Sequence, residues 1–231
     1  MMSSDYISVW QGDLSFEDIN YQRHWSVLDS AEQVIASKMR SKNRHNEYVH
    51  IHGLLRYQLG LILNHPPERL VINRSQTGKP YLGDYPKLVF NISHSAEHFI
   101  IAIATDCQLG IDVECIRPRK NIRGLVSKCF AQVEQDYWNQ LSEPEQIKAF
   151  YQFWTRKEAF VKATGHGIAL GLDRCVINPM NINVFNNIPE DTGVIDDWFI
   201  HEIPIKQDYC AALVTDKKIA QIRVFNLQNE S

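Results

Sequence analysis

Helical and extended patterning occupy separate blocks in this sequence, and the succession occurs twice. From Ala31 to Leu63 the residues Val34, Ile35, Met39, Val49, Leu54, Leu55, Leu59 and Ile62 recur at three- and four-residue spacings. That spacing predicts two helices before the loop His65-Pro66-Pro67. Short β-type runs follow at Leu70–Ile72, Leu88–Ile92, Phe99–Thr105 and Gly110–Glu114, with Ser75–Pro80 reading as a turn. The helical period returns over Val126–Leu141 and Ile147–Thr164, the second helix ending at Gly165. β-type runs then reappear at Cys175–Ile177, Trp198–Ile200, Tyr209–Thr215 and Ile222–Phe225, with turns across Asn178–Asp197. The fold class expected is α+β.

One internal echo bears on the domain count. Phe99–Asp106 and Tyr209–Asp216 share Ala102/Ala212, Thr105/Thr215 and Asp106/Asp216. Two apolar strands can agree this far by chance, or the chain is a tandem duplication of one α+β unit. Its 231 residues suit either one large domain or two small ones.

A 44% hydrophobic content excludes disorder and predicts a packed core. The longest apolar run, Phe99–Ala104, is far short of the roughly 20 residues that span a bilayer. The N-terminal sequence lacks a basic and then apolar leader, and the five cysteines form no C-x-x-C pair. A soluble, cytoplasmic protein without membrane association is expected. The net charge is −3, yet two stretches carry only basic charges: Lys38, Arg40, Lys42 and Arg44, then Arg117, Arg119, Lys120, Arg123 and Lys128. They favour an anionic partner, while the near-neutral whole argues against nucleic acid.

Three groups of residues suggest chemistry. Asp112 and Glu114 alternate on a predicted strand, so both carboxylates leave the same face. Such a pair is either the solvent face of an edge strand or, if buried, half of a Mg²⁺ site. Glu158 and Lys162 lie one turn apart on a helix flanked by Phe153, Trp154 and Phe160, which predicts an i,i+4 ion pair on an inward-facing stripe. Asn91-Ile92-Ser93-His94-Ser95 reads as a polar turn after a strand, either structural or suited to phosphate. His50 and His52 do not share a helix face and suggest no metal site.

Together, Gly78-Lys79-Pro80, Phe90–Ser95, Gly110–Glu114 and Phe153–Lys162 resemble the 4′-phosphopantetheinyl transferases of the long, two-lobed, surfactin-synthetase-activating type. The resemblance spans at least residues 74–171. It implies two similar α+β halves related by a pseudo-twofold axis, with the active site in the cleft between them. Residues 1–107 would form the half contacting the coenzyme A nucleotide, and 108–231 the half with the Mg²⁺-site acids and catalytic helix. The implied reaction transfers the phosphopantetheine arm of coenzyme A to a serine of an acyl or peptidyl carrier protein, releasing adenosine 3′,5′-bisphosphate. The implied agent is a monomer.

By the same likeness Asp112, Glu114 and Glu158 hold Mg²⁺, and Lys162 lies near the diphosphate. Ser93 and His94 bind coenzyme A, and Arg74 and Lys79 contact its nucleotide end, including the 3′-phosphate. Arg44 and Arg56 are further basic candidates, and His52 falls where relatives carry a basic nucleotide contact. Glu158 is the expected general base, directly or through water, while His94 holds phosphate. Arg117–Lys128 is expected to dock an acidic carrier. A metal-dependent phosphohydrolase acting on a nucleotide diphosphate ester and a non-catalytic carrier-binding module are the competing classes.

Overall fold

Helix boundaries follow from local capping. Glu32 accepts the Asp29 N–H and Asp29 accepts the Glu32 N–H, opening α2 (Ser30–Ser37) after the short α1 (Tyr21–Val27). Ser41 caps α3 (Lys42–Leu63), which Asn64 ends in the left-handed conformation at φ 50°. Glu145 accepts the Ser142 N–H at the start of α6 (Glu143–Thr164), and Gly165 terminates that helix at φ 71°. The helix expected over Val126–Leu141 is instead two, α4 (Ile122–Cys129) and α5 (Gln132–Asn139). Phe130 is extended between them, and Glu134 turns back to accept the Ala131 N–H, so a new helix starts there.

A computed structural model describes residues 6–14 and 21–227. Its strands are β1 (Tyr6–Asp13), β2 (Ile72–Arg74), β3 (Pro80–Leu82), β4 (Leu88–Ser95), β5 (His98–Thr105), β6 (Leu109–Cys115), β7 (Val176–Ile177), β8 (Phe185–Asn187), β9 (Phe199–Glu202), β10 (Tyr209–Thr215) and β11 (Gln221–Asn226). One sheet runs β11-β1-β5-β4 and a second β6-β10-β9, with β2-β3 and β7-β8 as small pairs. This mixture of helices and sheets is the expected α+β class.

The same order of elements occurs twice. A first strand, helices, a small strand pair and a hairpin run β1, α3, β2-β3, β4-β5, then β6, α6, β7-β8, β9-β10. In each set the last strand pairs antiparallel with both the first strand and its hairpin partner. The echo segments are therefore the two central strands, β5 and β10. The copies are not cleanly divided, because β11 returns to pair in parallel with β1 in the first sheet.

The layers run helix, sheet, sheet, helix. Ile51, Leu55 and Leu59 of α3 pack on Phe90, Phe99, Ile101 and Ile103. The opposite face of that sheet, through Ile7, Val9, Ile100 and Ala102, meets Ile111, Val113, Ala211 and Leu213 of the second. On the far side Phe153, Phe160 and Val161 of α6 join Ala212 and Val214. Fully burying each Val, Leu, Ile or Phe side chain of these contributes about 1.5–3 kcal/mol. Among the described residues no helix is long and apolar enough to cross a membrane.

Where the sheets meet edge to edge, side chains replace a backbone ladder. Asn91, Ser93 and Ser95 of β4 accept the N–H groups of Ile111, Val113 and Cys115 on β6 at 2.9, 3.3 and 3.1 Å. The polar turn expected at Asn91–Ser95 is thus strand, its polar residues alternating toward a neighbouring strand whose N–H groups need partners.

Candidate active site

β6 and α6 bring the acids together because Gly110 has no side chain. A Cβ there would lie 2.1 Å from the Ala159 carbonyl oxygen and 2.3 Å from the Ala163 nitrogen. The α6 backbone therefore rests directly on β6, and Asp112 and Glu114, on the same face as Gly110, lie beneath Glu158 and Lys162.

Lys162 Nζ donates to Asp112 Oδ1 at 2.8 Å, Ser93 Oγ at 3.0 Å and the Ile111 carbonyl at 3.2 Å. The i,i+4 pair with Glu158 is not formed; Lys162 turns to the more buried carboxylate. Ser93 Oγ also donates to Asp112 Oδ1 at 2.8 Å, and Ser95 Oγ donates to Glu114 Oε2 at 2.8 Å. Asp112 Oδ2 is buried without a hydrogen-bond partner. Glu158 makes no hydrogen bond or ion pair to the described residues, although the Lys162 charge acts on it.

Burial raises the Glu158 carboxyl above the ordinary carboxylate range, and the charges of Asp112 and Glu114 push it further. Burial likewise raises Glu114, with Ser95 opposing and Asp112 adding to the shift. Two carboxyls whose ionisation is disfavoured by burial and the neighbouring Asp112 charge, beside an Asp112 with an orphaned buried oxygen, fit a hard cation. They form no closed cage: among the described residues, no group of three or more His, Cys, Asp or Glu is already arranged around one ion. An open site of this kind suits Mg²⁺, which commonly takes one or two carboxylates and fills its other positions with water and phosphate.

Two of the clefts that border β4 contain the candidate residues. One, of about 650 Å³, is lined by Met39, Arg44, Glu47, Tyr48, His52, His94 and Ser95. His94 and Ser93 therefore point to opposite faces of the strand, His94 toward α3 and Ser93 toward Asp112. His94 lies 4.0 Å from Glu47, and burial lowers its pKa against the pull of that carboxylate. His52 stacks on Tyr48 and contacts Glu32 at 3.1 Å. The second cleft, about 250 Å³, is lined by Gly78, Lys79, Asn91, Glu158, Lys162 and Gly165.

Lys79 Nζ donates to the carbonyls of Ala163 at 2.6 Å and Leu109 at 3.1 Å, tying its loop to the α6 C-terminus. Burial pulls its pKa down to about 8. Arg74 is exposed beneath the same loop, donating to the Gly78 carbonyl at 3.2 Å. Arg56 does not reach the site. It is fully buried, spending its guanidinium on Asp29, Glu32 and the carbonyls of Pro67 and Leu70, so it braces the first lobe and leaves the candidate nucleotide contacts.

Sequence reasoning passed over Glu47, which faces His94, and gave no role to Ser95, which holds Glu114. The signal for Ser95 was its two-residue phase with Asn91 and Ser93, visible once the segment is read as strand. Within α6, Lys157 points away from the site into a fully buried pair with Glu134 at 2.8 Å and onto the carbonyls of Leu172 and Cys175.

Residues 108–214 match the family model of the 4′-phosphopantetheinyl transferase superfamily. The chain is 29% identical over 214 residues to the 4′-phosphopantetheinyl transferase HetI of a Nostoc species, covering 91% of this chain and 87% of that protein. It is 30% identical over 185 residues to slr0495 of a Synechocystis species, assigned by name to the 4′-phosphopantetheinyl transferases, covering 79% and 74%. Identity to the Xenopus laevis L-aminoadipate-semialdehyde dehydrogenase-phosphopantetheinyl transferase is 26% over 195 residues, covering 77% and 63%.

Proposed function

Because the chain belongs to the 4′-phosphopantetheinyl transferase superfamily, we propose that it moves the phosphopantetheine arm of coenzyme A onto a carrier-protein serine at the Asp112–Glu114–Glu158–Lys162 cluster. The observation that carries this reading is the carboxylate pair on β6, half-buried Glu114 beside a buried Asp112 that is bonded to Lys162 through one oxygen and left without a partner at the other. Asp112, Glu114 and Glu158 would hold Mg²⁺, which would supply positive charge to neutralise diphosphate oxygens on which charge accumulates.

The protein's own groups do the rest. Lys162 exchanges its longest contact, the Ile111 carbonyl, for a diphosphate oxygen and stabilises the departing bisphosphate. Glu158, whose carboxylate makes no hydrogen bond or ion pair to the described residues, takes the proton of the carrier serine directly or through one water. Ser93 keeps Asp112 and Lys162 in register at the diphosphate end. His94 and Arg44 in the larger cleft, with Lys79 and Arg74 beyond, hold the phosphates and nucleotide. The substrate then lies along the junction of the 1–107 and 108–231 halves, which we read as pseudo-twofold repeats. The protein is read as a cytoplasmic monomer.

The acidic carrier docks on Arg117, Lys120 and Lys128, which are exposed just beyond β6. Arg119 and Arg123 have a second attachment, lying over the rings of Phe150 and Trp154 and of Trp138.

Intact-mass analysis of several apo-carrier proteins incubated with coenzyme A and Mg²⁺ tests the proposal. A gain of one phosphopantetheine on any carrier is the expected result. No gain, with coenzyme A consumed in the absence of carrier, would replace it with a phosphohydrolase.

A further inference from the structure

The serines of β4 do more than close the seam between the sheets. Each accepts a β6 N–H and donates its one O–H to a neighbouring carboxylate: Ser93 to Asp112 Oδ1 and Ser95 to Glu114 Oε2, both at 2.8 Å. Serines two residues apart thus face carboxylates two residues apart, and each hydroxyl claims one oxygen of its acid. Asn91 makes the same kind of backbone contact, to Ile111, but touches no carboxylate. At Asp112 the serine shares its oxygen with Lys162, whereas at Glu114, among the described residues, Ser95 is the sole side-chain hydrogen-bond donor.

We propose that Ser95 is a positioning residue for divalent-cation binding: it pins Glu114 Oε2 to β4, so that the other Glu114 oxygen is ordered in advance to serve as a ligand together with Asp112 Oδ2. The inference rests on the metal reading above. Partners of ligating carboxylates matter because a ligand that must first be ordered binds more weakly.

The test uses Mn²⁺ as the probe, titrated into the full chain without coenzyme A or carrier, with free Mn²⁺ read by electron paramagnetic resonance. Ser95→Ala is expected to weaken binding by about 10- to 100-fold, and Ser95→Thr, which keeps the hydroxyl, to bind like wild type. Asn91→Ala, which loosens the same seam without touching an acid, is expected to keep wild-type affinity. Should Ser95→Ala fold poorly, Ser95→Cys keeps the volume, gives up most of the hydrogen bond, and is expected to bind weakly too. Wild-type affinity in the Ser95→Ala and Ser95→Cys proteins overturns the inference and leaves the metal reading standing. So does an equal loss in Asn91→Ala, or no recovery in Ser95→Thr. A wild-type protein that takes up no Mn²⁺ overturns both.

Discussion

Lys162 Nζ stands 2.8 Å from Asp112 Oδ1, while Oδ2 of the same carboxylate is buried with no hydrogen-bond partner. One half of the acid is neutralised from within the protein and the other half is left for a ligand. Glu158, one helical turn before Lys162, meets that site without an anchor of its own. Glu158→Gln keeps the shape and removes the base. Carrier modification should fall by at least about 10²-fold, while coenzyme A binding measured by calorimetry stays detectable. Full transfer activity in the variant would exclude Glu158 as the proton acceptor.

The raised pKa values of Glu114 and Glu158 fix the sign of a pH effect. In the window between the ordinary carboxylate range and the elevated folded values, the native protein holds protons that the unfolded chain has released. The contribution of these two carboxyls to the stability of the metal-free protein should therefore fall as pH rises through that window. Mg²⁺ should offset the loss, increasingly so at higher pH. Thermal denaturation at several pH values, with and without Mg²⁺, gives the comparison; a Mg²⁺ effect independent of pH would contradict the assignment.

Gly110→Ala would place a methyl against the α6 backbone, which cannot rotate aside as a side chain can. The expected cost is about 1–3 kcal/mol in urea denaturation, and displacement of Glu158 and Lys162 from Asp112 should abolish transfer. A stable, fully active variant would show that α6 need not touch β6.

Lys157 and Glu134 are both fully buried, and burial drives their pKa values in the uncharged direction, lysine down and glutamate up. Their mutual contact and the hydrogen bonds to Leu172, Cys175, Ile177 and Ala131 oppose that drift. Lys157→Met alone should cost about 3–5 kcal/mol by leaving an uncompensated acid. Adding Glu134→Gln should recover part of it in a double-mutant cycle, whereas additive losses would mean the two groups act separately.

Carrier recognition should depend on exposed charge after β6. Reversal of Arg117, Lys120 and Lys128 to glutamate is expected to raise the carrier KM and flatten its salt dependence, with coenzyme A binding little changed. An unaltered salt profile would move the docking surface elsewhere.

Local geometry was legible in the sequence. The period-two placement of Asp112 and Glu114, the one-turn spacing of Glu158 and Lys162, and the stop at Gly165 depend only on residues near one another in the chain. They appear in β6 and α6 as expected. The ordered motifs also carried the family resemblance. Tertiary structure alone decided who partners whom. Lys162 left its helical neighbour for Asp112, because a buried carboxylate holds a cation more strongly than a half-exposed one. Arg56 turned inward because Asp29 and Glu32 converge there from another helix. Asn91–Ser95 became strand because it extends the β4–β5 ladder, and its polar side chains then met the N–H groups of β6. Hydrogen-bond and charge satisfaction in a packed interior are settled among residues distant in sequence, and no local pattern carries that information.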